Sequence, residues 1–83
     1  EVFLLDQKSA VLGYGETNDF VLRDHREVSI RHAQFLNVPD KCEVWNLSEG
    51  GPIQVNFRPV QNQPVKAGDI ISVGSAQLQL IRT

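Results

Sequence analysis

Cysteine occurs once in this 83-residue chain, methionine not at all, and tryptophan and tyrosine once each. The lone Cys42, set between Lys41 and Glu43, has no partner for an internal disulfide. The fold therefore does not depend on an oxidising compartment, and a reducing one, cytoplasmic or nuclear, is expected. Long apolar runs are missing as well. Nothing resembles a membrane span or the charged, apolar, small-residue order of a signal peptide, so no direct membrane contact is expected of this segment, even if its parent is membrane-attached. Basic residues are scarce: 8 Lys and Arg stand against 10 Asp and Glu, for a net charge of -2. The two signs are interleaved, without the basic stripe that neutralises phosphates, which argues against nucleic acid as a partner. The start at Glu1 and the lack of methionine suggest a piece of a longer protein, here read as a single domain over residues 1–83 with one modest core.

What the chain does have is a succession of short apolar runs punctuated by Gly, Pro and Asn. Val2 to Leu5 and Ala10 to Leu12 read as strands, the second ended by Gly13 and Gly15, which free the backbone. Phe20 to Leu22 follows a turn at Asn18-Asp19. His32 to Val38 and Cys42 to Leu47 flank a Pro39-Asp40 turn. Ile53 to Asn56 alternates apolar against amide, Phe57 to Val60 continues extended with a proline suited to an edge, and Gln61 to Pro64 reads as loop. Ile70 to Val73 and the strictly alternating Ala76 to Leu80 close the chain. Many short, turn-bounded strands predict an all-β fold, a two-sheet β-sandwich of about 9–11 strands in which each sheet buries its apolar face on the other.

The densest polar chemistry lies in Val28-Ser29-Ile30-Arg31-His32-Ala33-Gln34-Phe35, where a hydroxyl, a guanidinium and an imidazole fall within four positions. From Arg23 to Arg31 a helix is the rival reading, since Asp24 with Glu27 resembles a capping box, but positions 28, 30, 35 and 36 make no clean helical stripe. Ser29, His32 and Asp24 are the residue types of a hydrolase triad without a nucleophile elbow. His25, His32 and Cys42 match no zinc spacing. Gly13-x-Gly15 lacks the third glycine of a nucleotide loop. Neither catalysis nor a metal or other cofactor is expected.

Taken in order, Gly13, then Asn18-Asp19-Phe20-Val21-Leu22, then Ser29-x-x-His32-Ala33, then Val55-Asn56, then Gly68-Asp69-Ile70-Ile71-Ser72-Val73-Gly74 resemble the forkhead-associated (FHA) domain, over about residues 10 to 80. The resemblance implies a sandwich of eleven strands or slightly fewer, whose loops at one end bind phosphothreonine peptides, and a binding module without catalysis. It also implies that the histidine at 32 is structural, tying loop to strand. The family's ligand pattern is only partly kept. Its arginine after the first glycine is Tyr14 here. The serine is kept as Ser29, but the basic residue after it is Ile30. The loop that usually reads Ser-x-Asn-Gly-Thr falls on Glu49, Gly50, Gly51, Pro52 and Ile53, which removes the peptide-holding amide at Gly51 and adds a negative charge at Glu49.

Hydrogen bonds to charged groups contribute about 1.5–3 kcal/mol each, so losing the arginine and the asparagine costs roughly 3–6 kcal/mol, or about two to four powers of ten in affinity. Accordingly Tyr14, Ser29, Arg31, Glu49, Gly51 and Asn56 are expected in the loops that meet a partner, and Gly13, His32, Gly68 and Asp69 in structural roles. The expected function is a protein-interaction or scaffolding module that binds another protein or peptide through its loop end, or a neighbouring copy by self-association, largely without phosphothreonine dependence. The alternative is an atypical phosphothreonine reader built on Ser29 and the arginines at 23, 26 and 31.

Overall fold

The computed structural model describes residues 1–23, 27–48 and 53–82. Among these residues ten strands run in chain order: β1 (Val2–Leu5), β2 (Ser9–Gly13), β3 (Phe20–Val21), β4 (Ala33–Val38), β5 (Lys41–Asn46), β6 (Ile53–Val55), β7 (Arg58–Pro59), β8 (Asn62–Pro64), β9 (Ile70–Val73) and β10 (Ala76–Arg82). There is no helix among the described residues, and so none long and apolar enough to cross a membrane.

The strands form two five-stranded sheets. The first has the order β1-β10-β9-β6-β7 and the second β3-β2-β4-β5-β8. Most neighbours are antiparallel, but β1 runs parallel to β10 and β3 parallel to β2. Period-two alternation sets which face is inside. In β10, Ala76, Leu78 and Leu80 are buried while Gln77, Gln79 and Ile81 face outward. In β5, Cys42 and Val44 are buried while Trp45 is exposed, its indole N–H donating to Glu43 at 3.1 Å. Phe3 of the first sheet meets Phe20 edge-on and Phe35 at a tilt, with ring centroids 5.1 and 5.0 Å apart, so aromatic packing bridges the sheets. Phe35, Leu5, Leu12, Ile53, Ile71 and Leu78 are among the side chains removed from solvent, at roughly 1.5–3 kcal/mol each.

Two local expectations are corrected. Asn56 and Phe57 both take positive φ, 51° and 69°, and form a two-residue turn between Val55 and Arg58, which are register partners. The extended run expected from Phe57 therefore begins only at Arg58, because this hairpin geometry demands left-handed backbone at both central residues. Gln61 to Pro64, expected as loop, contains β8, which pairs with Glu43 to Trp45 at the sheet edge. Its burial pattern is exposed throughout, so no apolar periodicity marked it.

Candidate functional site

At one end of the sandwich β2 ends, β4 begins and β5 ends, and the chain segments between them are stitched by backbone. Tyr14 N–H donates to the Ser29 carbonyl at 2.9 Å and Gly15 N–H to the Ile30 carbonyl at 3.1 Å. His32 N–H donates to Leu12 O and Leu47 N–H to His32 O, both at 2.8 Å. A Cβ at Gly13 would lie 2.2 Å from the Ile30 carbonyl oxygen, so the close approach of these two segments exists only because residue 13 is glycine. The Asn18 amide donates to the carbonyls of Gly15 and Ile30, closing the same loop from the other side.

His32 is fully buried. Its Nδ1 accepts the Ser29 backbone N–H at 3.0 Å, which makes Nδ1 the unprotonated ring nitrogen and fixes the loop bearing Ser29. The Ser29 hydroxyl turns instead to the Ser48 hydroxyl, 2.8 Å away. The imidazole therefore contacts the serine backbone and not its oxygen, and the arrangement cannot activate Ser29 as a nucleophile. Ser48 is held in turn by its N–H, which donates to Asn46 Oδ1 at 2.9 Å. Tyr14, Ile30, Arg31 and Leu47, which lie on or next to these stitched segments in sequence, are exposed. Arg23 nearby is paired with Glu16 at 3.1 Å in an exposed contact of little energetic worth.

The structure thus brings Gly13, Tyr14, Ser29, Arg31 and His32 together. Asp24, His25, Arg26, Glu49 and Gly51 lie outside the described residues. Asn56, expected among the partner loops, is instead at the far end. β6 leaves the Ser29 end at Ile53 and reaches, at Asn56, the end where Val65 N–H donates to Cys42 O. There the Asn56 side chain is fully engaged: its amide donates to Asp69 Oδ1 at 3.1 Å and its carbonyl accepts Ile70 N–H at 3.0 Å. Asp69, buried, also accepts Lys66 N–H at 2.9 Å, and Gly68 supplies the φ of 95° that the turn requires. Burial pushes the nearby Cys42 thiol up, with the Arg82 charge working against that shift. Cys42 is accordingly a protonated core side chain at neutral pH. No group of His, Cys, Asp and Glu among the described residues is arranged to hold a metal ion.

Sequence reasoning placed Leu47 on the outward face with Trp45, as found, but missed Ser48. The readable signal was Asn46-x-Ser48 at a strand end, residue types that fold side chains back onto neighbouring backbone.

Comparison with known proteins places this geometry in a family. The FHA domain matches residues 10–74, and the chain belongs to that family. It is 34% identical over 76 residues to an oxoglutarate dehydrogenase inhibitor of Corynebacterium jeikeium, covering 92% of this chain and 52% of that protein. A protein of the same name from Corynebacterium efficiens is 34% identical over 76 residues, covering 92% and 53%. The chain thus spans about half the length of these curated relatives. Among solved structures, an FHA domain studied for phosphothreonine-dependent interactions superposes with a TM-score of 0.78 at 29% identity, covering 88% of this chain and 75% of that one. The FhaA FHA domain, complexed with the intracellular domain of a second protein, superposes with a TM-score of 0.79 at 27% identity, covering 90% and 81%.

Proposed function

We propose that this FHA domain is a non-catalytic interaction module that holds a protein partner through its loop end largely without a phosphothreonine. The observation that carries this reading is the pair of exposed side chains beside Ser29. Tyr14 is 53% and Ile30 68% exposed, and both occupy positions where the resemblance to phosphopeptide-binding members leads one to expect cationic side chains. An exposed aromatic and an exposed aliphatic at a rigid loop end suit an apolar anchor contact better than an anion cradle. The name shared by the two curated relatives supports a regulatory partner, an oxoglutarate dehydrogenase being the first to try.

A phosphate-dependent second reading has one observation in its favour. The Ser29 and Ser48 hydroxyls lie 2.8 Å apart, and the exposed Arg31 follows Ser29 by two positions. The test separates the two. The unmodified chain is expected to bind threonine peptides of a library equally with and without phosphate, whereas Tyr14→Arg with Ile30→Arg gains a preference for phosphate of at least about tenfold, one charge-assisted contact or more. Phosphate-dependent binding by the unmodified chain, abolished by Ser29→Ala or Arg31→Ala, would establish the second reading.

A further inference from the structure

The hairpin between β6 and β7 holds a side chain that its backbone does not favour. Asn56 and Phe57 are its two central residues, at φ of 51° and 69°, and the second of these positions is one that such a turn ordinarily gives to glycine. A phenyl ring held in left-handed backbone and 62% exposed gains little from the fold in return. The turn beneath it is fixed: Asn56 N–H donates to Ile70 O at 2.7 Å, and the Asn56 side chain is bound to Asp69 and to Ile70 N–H. An aromatic set outward against its backbone preference has the character of a contact residue.

Beside this turn the two sheets part. Phe3 of β1 packs on Phe20 of β3 and Phe35 of β4, so the opposite edges, β7 and β8, share the other side of the sandwich. An open cleft of about 390 Å³ lies there, between β6 and the end of β8. Val55, Pro64 and Val65 give it apolar walls, and Asn56, Lys66 and Asp69 border it. It has room for an aliphatic side chain and the backbone that carries it. β1 and β10 stand at the other edge of the first sheet, with β9 between them and β6, and neither Val2 nor Arg82 borders the cleft.

The charges beside the cleft select an occupant. Lys66 borders it, and Arg58, the register partner of Val55, starts from the face of the hairpin that Val55 turns toward it. Both are exposed, and neither has an ion-pair partner among the described residues, whereas Arg23 and Lys41 are each paired. Asp69 is the acid that lines the cleft, but it is buried, and its two oxygens accept the Asn56 amide and the Lys66 N–H. A chain of net charge -2 thus keeps two unpaired cations beside an apolar cleft and an exposed aromatic. That set complements an aliphatic residue flanked by carboxylates.

We infer that the cleft between β6 and β8, headed by Phe57, is a second binding site, which takes an acidic peptide segment of a partner protein. One aliphatic side chain enters between Val55, Pro64 and Val65, the Phe57 ring packs on it, and the flanking carboxylates pair with Arg58 and Lys66. The site lies away from the Ser29 loop end, so both can be occupied at once, and it does not depend on how the loop end binds.

Backbone NMR shifts of the full chain, titrated with an acetylated peptide of one leucine between two pairs of glutamates, test the site. Val55, Phe57, Val65 and Lys66 are expected to move and Tyr14 and Ser29 to stay, with a Kd of about 1 mM or tighter. Added salt should weaken the binding. Peptides with lysine in place of glutamate, or serine in place of leucine, are expected to bind at least about tenfold more weakly, and Arg58→Glu and Lys66→Glu each to lose about as much. Phe57→Gly should lose about fivefold in affinity while its thermal midpoint stays level or rises, which separates lost contact from lost fold. Shifts that stay still at roughly 10 mM peptide, movement confined to the loop end, equal binding of the lysine or serine peptide, or variants that bind like the unmodified chain would each overturn the inference. So would binding to phosphatidylserine vesicles without binding to the peptide, which would assign the tip to a lipid surface.

Discussion

The two ends of the sandwich are built by the same device and put to different ends. At one, a buried His32 fixes Ser29 through a backbone N–H, and Ser48 holds the neighbouring hydroxyl. At the other, a buried Asp69 receives Asn56 and the Lys66 N–H. In both, one buried polar side chain organises a turn by satisfying backbone donors that would otherwise be stranded, which is worth about 1–3 kcal/mol per group when broken. The difference lies in what surrounds the device. The Asn56 end has its polar atoms turned onto its own chain, while the Ser29 end presents Tyr14, Ile30, Arg31 and Leu47 to solvent. Structural stitching is present at both ends, while Tyr14 and Ile30 at the Ser29 end are uncharged where the resemblance leads one to expect cationic side chains.

The hardest blow to that contrast is expected from Gly13→Ala. A methyl 2.2 Å from the Ile30 carbonyl oxygen forces the β2 end and the Ser29 loop apart, at roughly 3 kcal/mol by chemical denaturation. Backbone NMR shifts should move around Tyr14 and Ile30 and stay put around Asn56; an unaltered melting curve would mean the two segments are not in this contact. A smaller loss, about 2 kcal/mol, is expected for His32→Ala, which leaves the Ser29 N–H without its acceptor. His32→Asn offers an oxygen near the Nδ1 position and should recover some of that loss, whereas a side chain that only fills space would give Asn and Ala the same stability. The smallest effect has the opposite sign and belongs to the far end. Phe57 holds φ of 69° while 62% exposed, so Phe57→Gly relieves left-handed backbone at little cost in burial and should raise stability by about 1 kcal/mol. A drop in thermal midpoint would show that the ring is anchoring something.

Much of this fold was legible in the residues alone, and the illegible remainder has a common cause. Alternation in Ala76 to Leu80 and in Cys42 to Leu47 reported directly which side chains are inside, because a sheet packed on one face writes its burial into the sequence with period two. Gly13 was readable as a strand-ending glycine, while the structural roles of Ser29-x-x-His32 and Gly68-Asp69 came from the resemblance to the FHA domain. β8 was not, since an edge strand exposed on both faces has no apolar signature. Asn56 was placed at the wrong end for a related reason: a polar residue at a strand terminus looks alike in sequence whether its amide faces a ligand or its own backbone. Ser48 escaped because its partner Ser29 is 19 positions away, a pairing that only the joining of β4 and β5 creates.

The parallel pairing of β1 with β10 also bears on force. Tension applied through Val2 and Arg82 pulls on opposite ends of two strands that run the same way, with Val2 beside Gln79 and Leu5 beside Arg82. The hydrogen bonds between them then lie across the direction of sliding and are loaded together, where an antiparallel pair pulled at its open end would unzip rung by rung. A pull applied at those two points meets every rung of the β1 ladder at once.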